Sequence, residues 1–315
     1  MIVVIALQAV MVIFAMLAIG YGFTAKGILP LDMTRKMSVV TSTVLAPCML
    51  FNSIYSRLTP EMLETALPAF LASFLSVGLL FILAEGIGRL IKLPVNRRGN
   101  FRTHAAASNA MFIGLPVCLA LFGEEGLPAI MFFFLGCTVL FWSVGNYSIR
   151  RDGQQYARFW SADTLKGMIS PGLIFVLAGV VVVALAVRLP LFLEGALALM
   201  GNAGGSLTVV LGGVILYRMG MFRGRLRYEK GLLSVIFCRF LLGPALVWGA
   251  ALLFGLNTMY TKIYILQMAM PAVSQGYVFS ERYGADGNYS ALLFSVTTLL
   301  SIVVIPLYML LFTFF

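Results

Sequence analysis

Charge is what this chain has least of. Only 11% of its 315 residues are Asp, Glu, Lys or Arg, against about 25% in a soluble domain. It has a single histidine, His104, and four cysteines, Cys48, Cys118, Cys137 and Cys238, dispersed in apolar stretches with no paired spacing. That argues against a disulfide scaffold and a zinc site, and leaves the cysteines as small packing residues. With no cofactor motif, no metal-ligand cluster and no nucleophile–base pair, the chain does not read as an enzyme.

What is present instead is hydrophobic sequence, 61% of the total. The apolar runs are long and unbroken rather than alternating with period two, so they predict membrane-spanning helices and not a barrel. Ten spans are expected, near 2–24, 34–56, 64–90, 100–122, 126–149, 168–187, 195–219, 229–254, 259–282 and 287–313. The run from Met1 to Phe23 lacks a basic leader and reads as a retained first span. All connections are short, and the longest, near 150–167, reads as a surface linker.

The net charge of +10 superficially suggests nucleic acid. Its distribution points to membrane topology instead. Most of the basic residues fall in alternate loops, among them Lys26, Arg35, Lys36, Arg89, Arg97, Arg98, Arg150, Arg151, Arg218 and Arg282. The opposite loops hold only Arg57, Arg188 and Lys262. The basic loops are therefore expected to be cytoplasmic, with both termini outside an inner (plasma) membrane.

Two expected spans carry a proline inside a polar interruption. The fourth contains Ser108-Asn109 and then Gly114-Leu115-Pro116, and the ninth contains Met270-Pro271-Ala272 and then Ser274-Gln275. A break in lipid frees backbone groups that only protein or water can satisfy. Paired breaks in two halves of a chain point to a transporter's substrate site. The halves also echo one another: Leu29-Pro30-Leu31 matches Leu189-Pro190-Leu191, and Phe122-Gly123 matches Tyr283-Gly284 at nearly the same offset. Five spans per unit is odd, so the expected units, 1–149 and 168–315, enter the membrane from opposite sides as inverted repeats.

These motifs resemble the auxin efflux carrier family. The likeness runs through Gly20-Tyr21-Gly22, Lys26-Gly27-Ile28-Leu29, Ser108-Asn109 with Phe112-Ile113-Gly114-Leu115-Pro116, and Arg282-Tyr283-Gly284. The chain is similar to compact bacterial members that move malonate or related organic anions. The resemblance implies an all-α polytopic fold of ten helices, with helices 4 and 9 crossing at their unwound middles. Helices 1, 2, 6 and 7 would form a scaffold, and helices 3–5 and 8–10 a transport unit moving as an elevator. It implies a homodimer in the lipid bilayer, a small mono- or dicarboxylate as substrate, and no nucleic acid. A sodium-coupled symporter of the bile-acid carrier type is the alternative, and an anion channel or membrane receptor the alternative of another class.

The expected substrate-binding residues are Asn109, Gly114, Leu115, Pro116, Pro271, Ser274 and Gln275. Pro suits the first turn of a helix, so Pro116 and Pro271 are expected to start the second half-helices. Each start presents unpaired N–H groups and a positive dipole end, and two together make an anion site without a buried cation. The plainer reading of Asn109 is an amide satisfying carbonyls freed by the break. Thr43, Pro47, Asn52 and Asn146 are expected to line the cavity or merely to pack. Arg239 reads first as a structural charge that snorkels or bonds helix-end carbonyls, with ion coupling as the alternative. Glu85 reads as the partner of Arg89, with proton coupling as the alternative. His104 is expected at the interface.

Overall fold

A backbone surrounded by hydrocarbon must satisfy its own hydrogen bonds, and a sequence of Leu, Val, Ala and Phe runs does so as helix. The computed structural model describes residues 2–64, 66–154, 169–220 and 229–312, and among them regular structure is helical throughout. In chain order these are α1 (Ile2–Ala25), α2 (Met33–Val40), α3 (Ala46–Tyr55), α4 (Pro60–Glu64), α5 (Ala66–Leu90) and α6 (Val95–Ala106). Next come α7 (Leu115–Phe122), α8 (Leu127–Leu140), α9 (Asn146–Gln154), α10 (Pro171–Ala184), α11 (Leu191–Met219) and α12 (Leu232–Phe237). The last are α13 (Gly243–Leu253), α14 (Thr258–Met268), α15 (Gln275–Tyr283) and α16 (Gly287–Leu311).

Among the described residues, six stretches are long and apolar enough to cross a membrane: Met33–Tyr55, Ala66–Leu90, Glu124–Gln154, Leu191–Arg218, Leu232–Leu253 and Gly287–Leu311. The polarity is arranged as lipid requires. Large apolar side chains face outward, with Leu90 at 81% and Leu191 at 87% exposure, while Ser42, Ser76, Asn100, His104 and Arg239 are buried. Among the described residues this is a multi-pass helical membrane protein. α11 packs along α1 and α3, and α10 packs along α3. α5 packs on α6, α8 and α13.

Several helices join through a widened π turn rather than a break. Thr41–Leu45 links α2 to α3, Ala110–Gly114 leads into α7, Phe141–Gly145 links α8 to α9, and Cys238–Leu242 links α12 to α13. Three of these are followed by X-Pro: Ala46-Pro47, Leu115-Pro116 and Gly243-Pro244. Proline has no N–H to give and crowds the carbonyl four residues back, and the wider turn relieves both.

This corrects two expectations. Pro116 does not start a half-helix, because helical structure begins at Ala110 and Pro116 sits within it. Nor does Pro271, which lies in the break while the following helix starts at Gln275. The expected linker also begins later, since α9 continues through Gln154. Its remainder, 155–168, falls outside the described residues.

Candidate functional site at two hydrogen-bonded helix breaks

Between Ala106 and Ala110 the chain leaves the helix at Ala107, Ser108 and Asn109, where short polar side chains compete with the helical ladder. Between Met268 and Gln275 it does so at Pro271, which cannot continue a helix and pushes Met270 out of it. The two extended pieces pair. Asn109 N–H donates to the Pro271 carbonyl at 2.8 Å, and Val273 N–H donates to the Ala107 carbonyl at 3.0 Å. Ser108 and Ala272 thus form one isolated antiparallel bridge. Each break supplies the partner that lipid denies the other.

Each break leaves a helix C-terminus on one side and an N-terminus on the other. The C-terminal ends are claimed by Arg239. Its guanidinium is fully buried in the π turn Cys238–Leu242. It donates to the carbonyls of Met268 at 2.6 Å, Met270 at 3.1 Å and Ala105 at 3.2 Å. One cation therefore neutralises the negative ends of α14 and α6 together, a use of Arg geometry a lysine does not match.

The N-terminal ends are left open. Asn109 precedes Ala110 and Ser274 precedes α15, yet neither side chain caps its helix. Both residues are buried, and Asn109 Nδ2, Ser274 Oγ and Gln275 Oε1 have no hydrogen-bond partner. Such atoms are rare in folded proteins and mark a site when they converge. Here the three residues that carry them line one cavity of about 40 Å³, room for a few water molecules or a carboxylate group. Ser108, Thr138 and Cys137 add polar and sulfur atoms, while Phe134, Phe141, Trp142, Met49 and Met111 close the apolar wall. No acid is among its lining residues. Gln275 is held from behind, its Nε2 donating to Thr208 Oγ1 at 3.2 Å.

The other expected residues lie elsewhere. Gly114 faces the Gln267 side chain, so that a Cβ would strike its amide. Leu115 and Pro116 line a second, larger cavity described below. Pro271 contributes its carbonyl to the bridge rather than to the cavity wall. Thr43 bonds Val39 O along its own helix, Pro47 is buried at the start of α3, and Asn52 is half-buried beside residues that line the cavities without lining either itself. Asn146 is buried with its Oδ1 unpartnered, away from the cavity lining. Glu85 bonds Arg89 at 2.8 Å and the buried Arg102 at 3.1 Å. His104 is not interfacial: it is fully buried, bonded to the Asn100 carbonyl at 2.8 Å and Ser290 Oγ at 3.0 Å. A serine on α16 and the backbone of its own helix satisfy both ring nitrogens, which makes its burial tolerable.

Sequence reasoning missed the wall from α8 and its π turn, and it missed Gln267 and Thr297. Gln267 is fully buried with its amide atoms unpartnered, and Thr297 Oγ1 accepts from Ala272 N–H at 3.1 Å. A polar residue inside an apolar span is the only local signal for either.

The fold is that of a multi-pass helical membrane protein, and its family makes it a transporter rather than an enzyme. Residues 5–309 match the membrane transport protein family, and the chain belongs to it, the family of the auxin efflux carriers. It is 24% identical over 313 residues to an uncharacterized transporter of Methanocaldococcus jannaschii, covering 96% of this chain and 98% of that one. It is 22% identical over 308 residues to an uncharacterized transporter of Methanothermobacter thermautotrophicus, covering 96% of each.

Proposed function

We propose that the protein carries small organic anions, mono- or dicarboxylates, by alternating access, binding the carboxylate at the crossing of the two breaks. The observation that supports this most is the division of helix ends. Arg239 occupies the C-terminal carbonyls, so the cavity is left with N-terminal ends and the unpartnered donors Asn109 Nδ2 and Ser274 Oγ. An anion is the charge such ends favour. The aromatic and methionine wall suits an apolar carbon chain behind the carboxylate.

On this reading the chain is two inverted five-helix repeats. α1, the α2–α3 span, α10 and α11 act as scaffold, and the helices around α5, α8, α13 and the breaks move against it. The packing of α11 on α1 and α3, and of α5 on α6, α8 and α13, favours that split. Both termini are extracytoplasmic, and the partners are a second copy and the lipid bilayer. An anion leaving a negative-inside cell gains about 2.3 kcal/mol per charge per 100 mV, so export needs no coupled ion.

The test is uptake of labelled mono- and dicarboxylates into liposomes holding the purified protein, with and without sodium and an imposed potential. Saturable, sodium-independent flux that follows the potential supports the reading. Flux that disappears without sodium favours the symporter, and conductance without saturation favours the channel.

A further inference from the structure

A second cavity, about 580 Å³, lies between α1, α3, α7 and α11. Its wall combines aliphatic and methionine side chains with Ser53, Asn202 and Ser206, and it carries one charged residue, the exposed Arg57. No carboxylate lines it. Met49 and Met111 line this cavity and the cavity at the breaks alike, so these two side chains stand between them. Met49 is held from behind, because α11 approaches so closely at Gly201 that a Cβ there would reach the Met49 backbone.

Beyond the second break, α15 is tied to its neighbours by side-chain bonds. Arg282 Nη1 donates to Ser42 Oγ at 3.1 Å, Tyr277 OH donates to the Thr208 carbonyl at 2.6 Å, and Arg218 pairs with Glu281. The larger cavity adjoins the break site at Met49 and Met111.

We infer that this cavity is an outer anion-binding station, in which Arg57 captures the carboxylate and the Met49–Met111 pair gates its passage to the breaks. The inference rests on the anion reading above. Arg57 lies in one of the loops poor in basic residues, so its field is not lost among other cations there. A lone cation in a cleft with low-dielectric walls concentrates anions, and it does so less as salt rises. Methionine has three rotatable bonds and no branching, which lets a side chain swing clear without moving the backbone.

The test uses thiol-reactive methanethiosulfonates, one anionic and one cationic, on full-length protein in liposomes. Two reporters share a background in which Cys48, Cys118 and Cys238 are replaced by alanine: native Cys137 in the break cavity, and Ser206→Cys in the outer cavity with Cys137→Ala. With the gate intact, Cys137 should react far more slowly than Ser206→Cys. The pair Met49→Ala and Met111→Ala should speed Cys137 at least roughly tenfold and leave Ser206→Cys unchanged. Arg57→Gln should lower the anionic-to-cationic rate ratio at Ser206→Cys by roughly fivefold at low salt, with Arg57→Lys restoring it. In the unmodified cysteine background, Arg57→Gln should raise KM for the carboxylate several-fold with kcat unchanged.

Equal reactivity of the two reporters with both methionines present overturns the gate. An unchanged charge ratio, or an unchanged KM, in Arg57→Gln overturns the capture role. The labelling arms need no transported substrate. If they succeed while no carboxylate is carried, the anion reading has failed and the outer station has not.

Discussion

The two helix breaks are joined edge to edge but are not held in the same way. The second, from Ala269 to Ser274, has its own anchors: Thr297 Oγ1 accepts from Ala272 N–H, and Arg239 binds the carbonyls of Met268 and Met270. The first, from Ala107 to Asn109, is tied by the bridge to the second, by the contact of Arg239 with Ala105, and otherwise only by a weak contact of Ser108 Oγ with Cys137 Sγ at 3.8 Å. The first break is thus templated by the second. The difference teaches where rigidity and function divide. The anchored break sets the backbone, and the templated one brings Asn109, with its unpartnered amide, to the cavity.

The largest way to disturb that relation is to remove the group both breaks share. Arg239→Leu leaves three buried carbonyls without their donor. Unsatisfied buried groups are worth roughly 1–3 kcal/mol each, so the variant should lose several degrees or more of thermal stability in detergent and all transport. Wild-type melting and flux in this variant would mean the two breaks do not depend on the guanidinium.

Thr297→Val touches the anchored break alone. It removes the acceptor of Ala272 N–H, and a loss of roughly 1–2 kcal/mol is expected. Because the first break leans on the second, flux and ligand affinity should fall with stability. Thermal unfolding with and without ligand reads both. A stability loss with undisturbed affinity would show that the first break holds its shape independently.

Asn109→Ala touches the templated break and should separate function from fold. Carboxylate affinity should drop about tenfold, equivalent to about 1.4 kcal/mol, while the ligand-free melting temperature stays within a degree or two. A titration of purified protein with the transported anion measures it. If melting falls and affinity does not, the amide serves the backbone and not the ligand.

Pro116→Ala should do least. Its ring follows a π turn well inside the helical run and lines the outer cavity, not the break. Affinity at the breaks should not change, and stability should stay within about 0.5 kcal/mol. A substantial affinity loss would return Pro116 to the site.

The positions of both interruptions are legible in the sequence because Ser108-Asn109 and Met270-Pro271 are local defects in otherwise apolar runs. What proline does there is less legible. The same residue breaks the ladder at Pro271 and only widens it at Pro47, Pro116 and Pro244. The outcome depends on tertiary partners such as Thr297, which lie far away in the chain. The cavity's far wall, from Phe134 to Trp142, was illegible for a related reason: those side chains look like any buried apolar face until the crossing decides which of them it meets. His104 misled because basic neighbours suggested an interface. One ring nitrogen bonds the Asn100 carbonyl within its own helix, but the other meets Ser290 on α16, an element that no local pattern connects to it.

The most direct test is a density map of the protein with a transported carboxylate bound. The account predicts the carboxylate group within hydrogen-bond distance of Asn109 Nδ2 and Ser274 Oγ, facing the starts of both second half-helices. A ligand seated instead against Arg239 or on the far side of the bridge, or a cation in the cavity with no anion beside it, would contradict it.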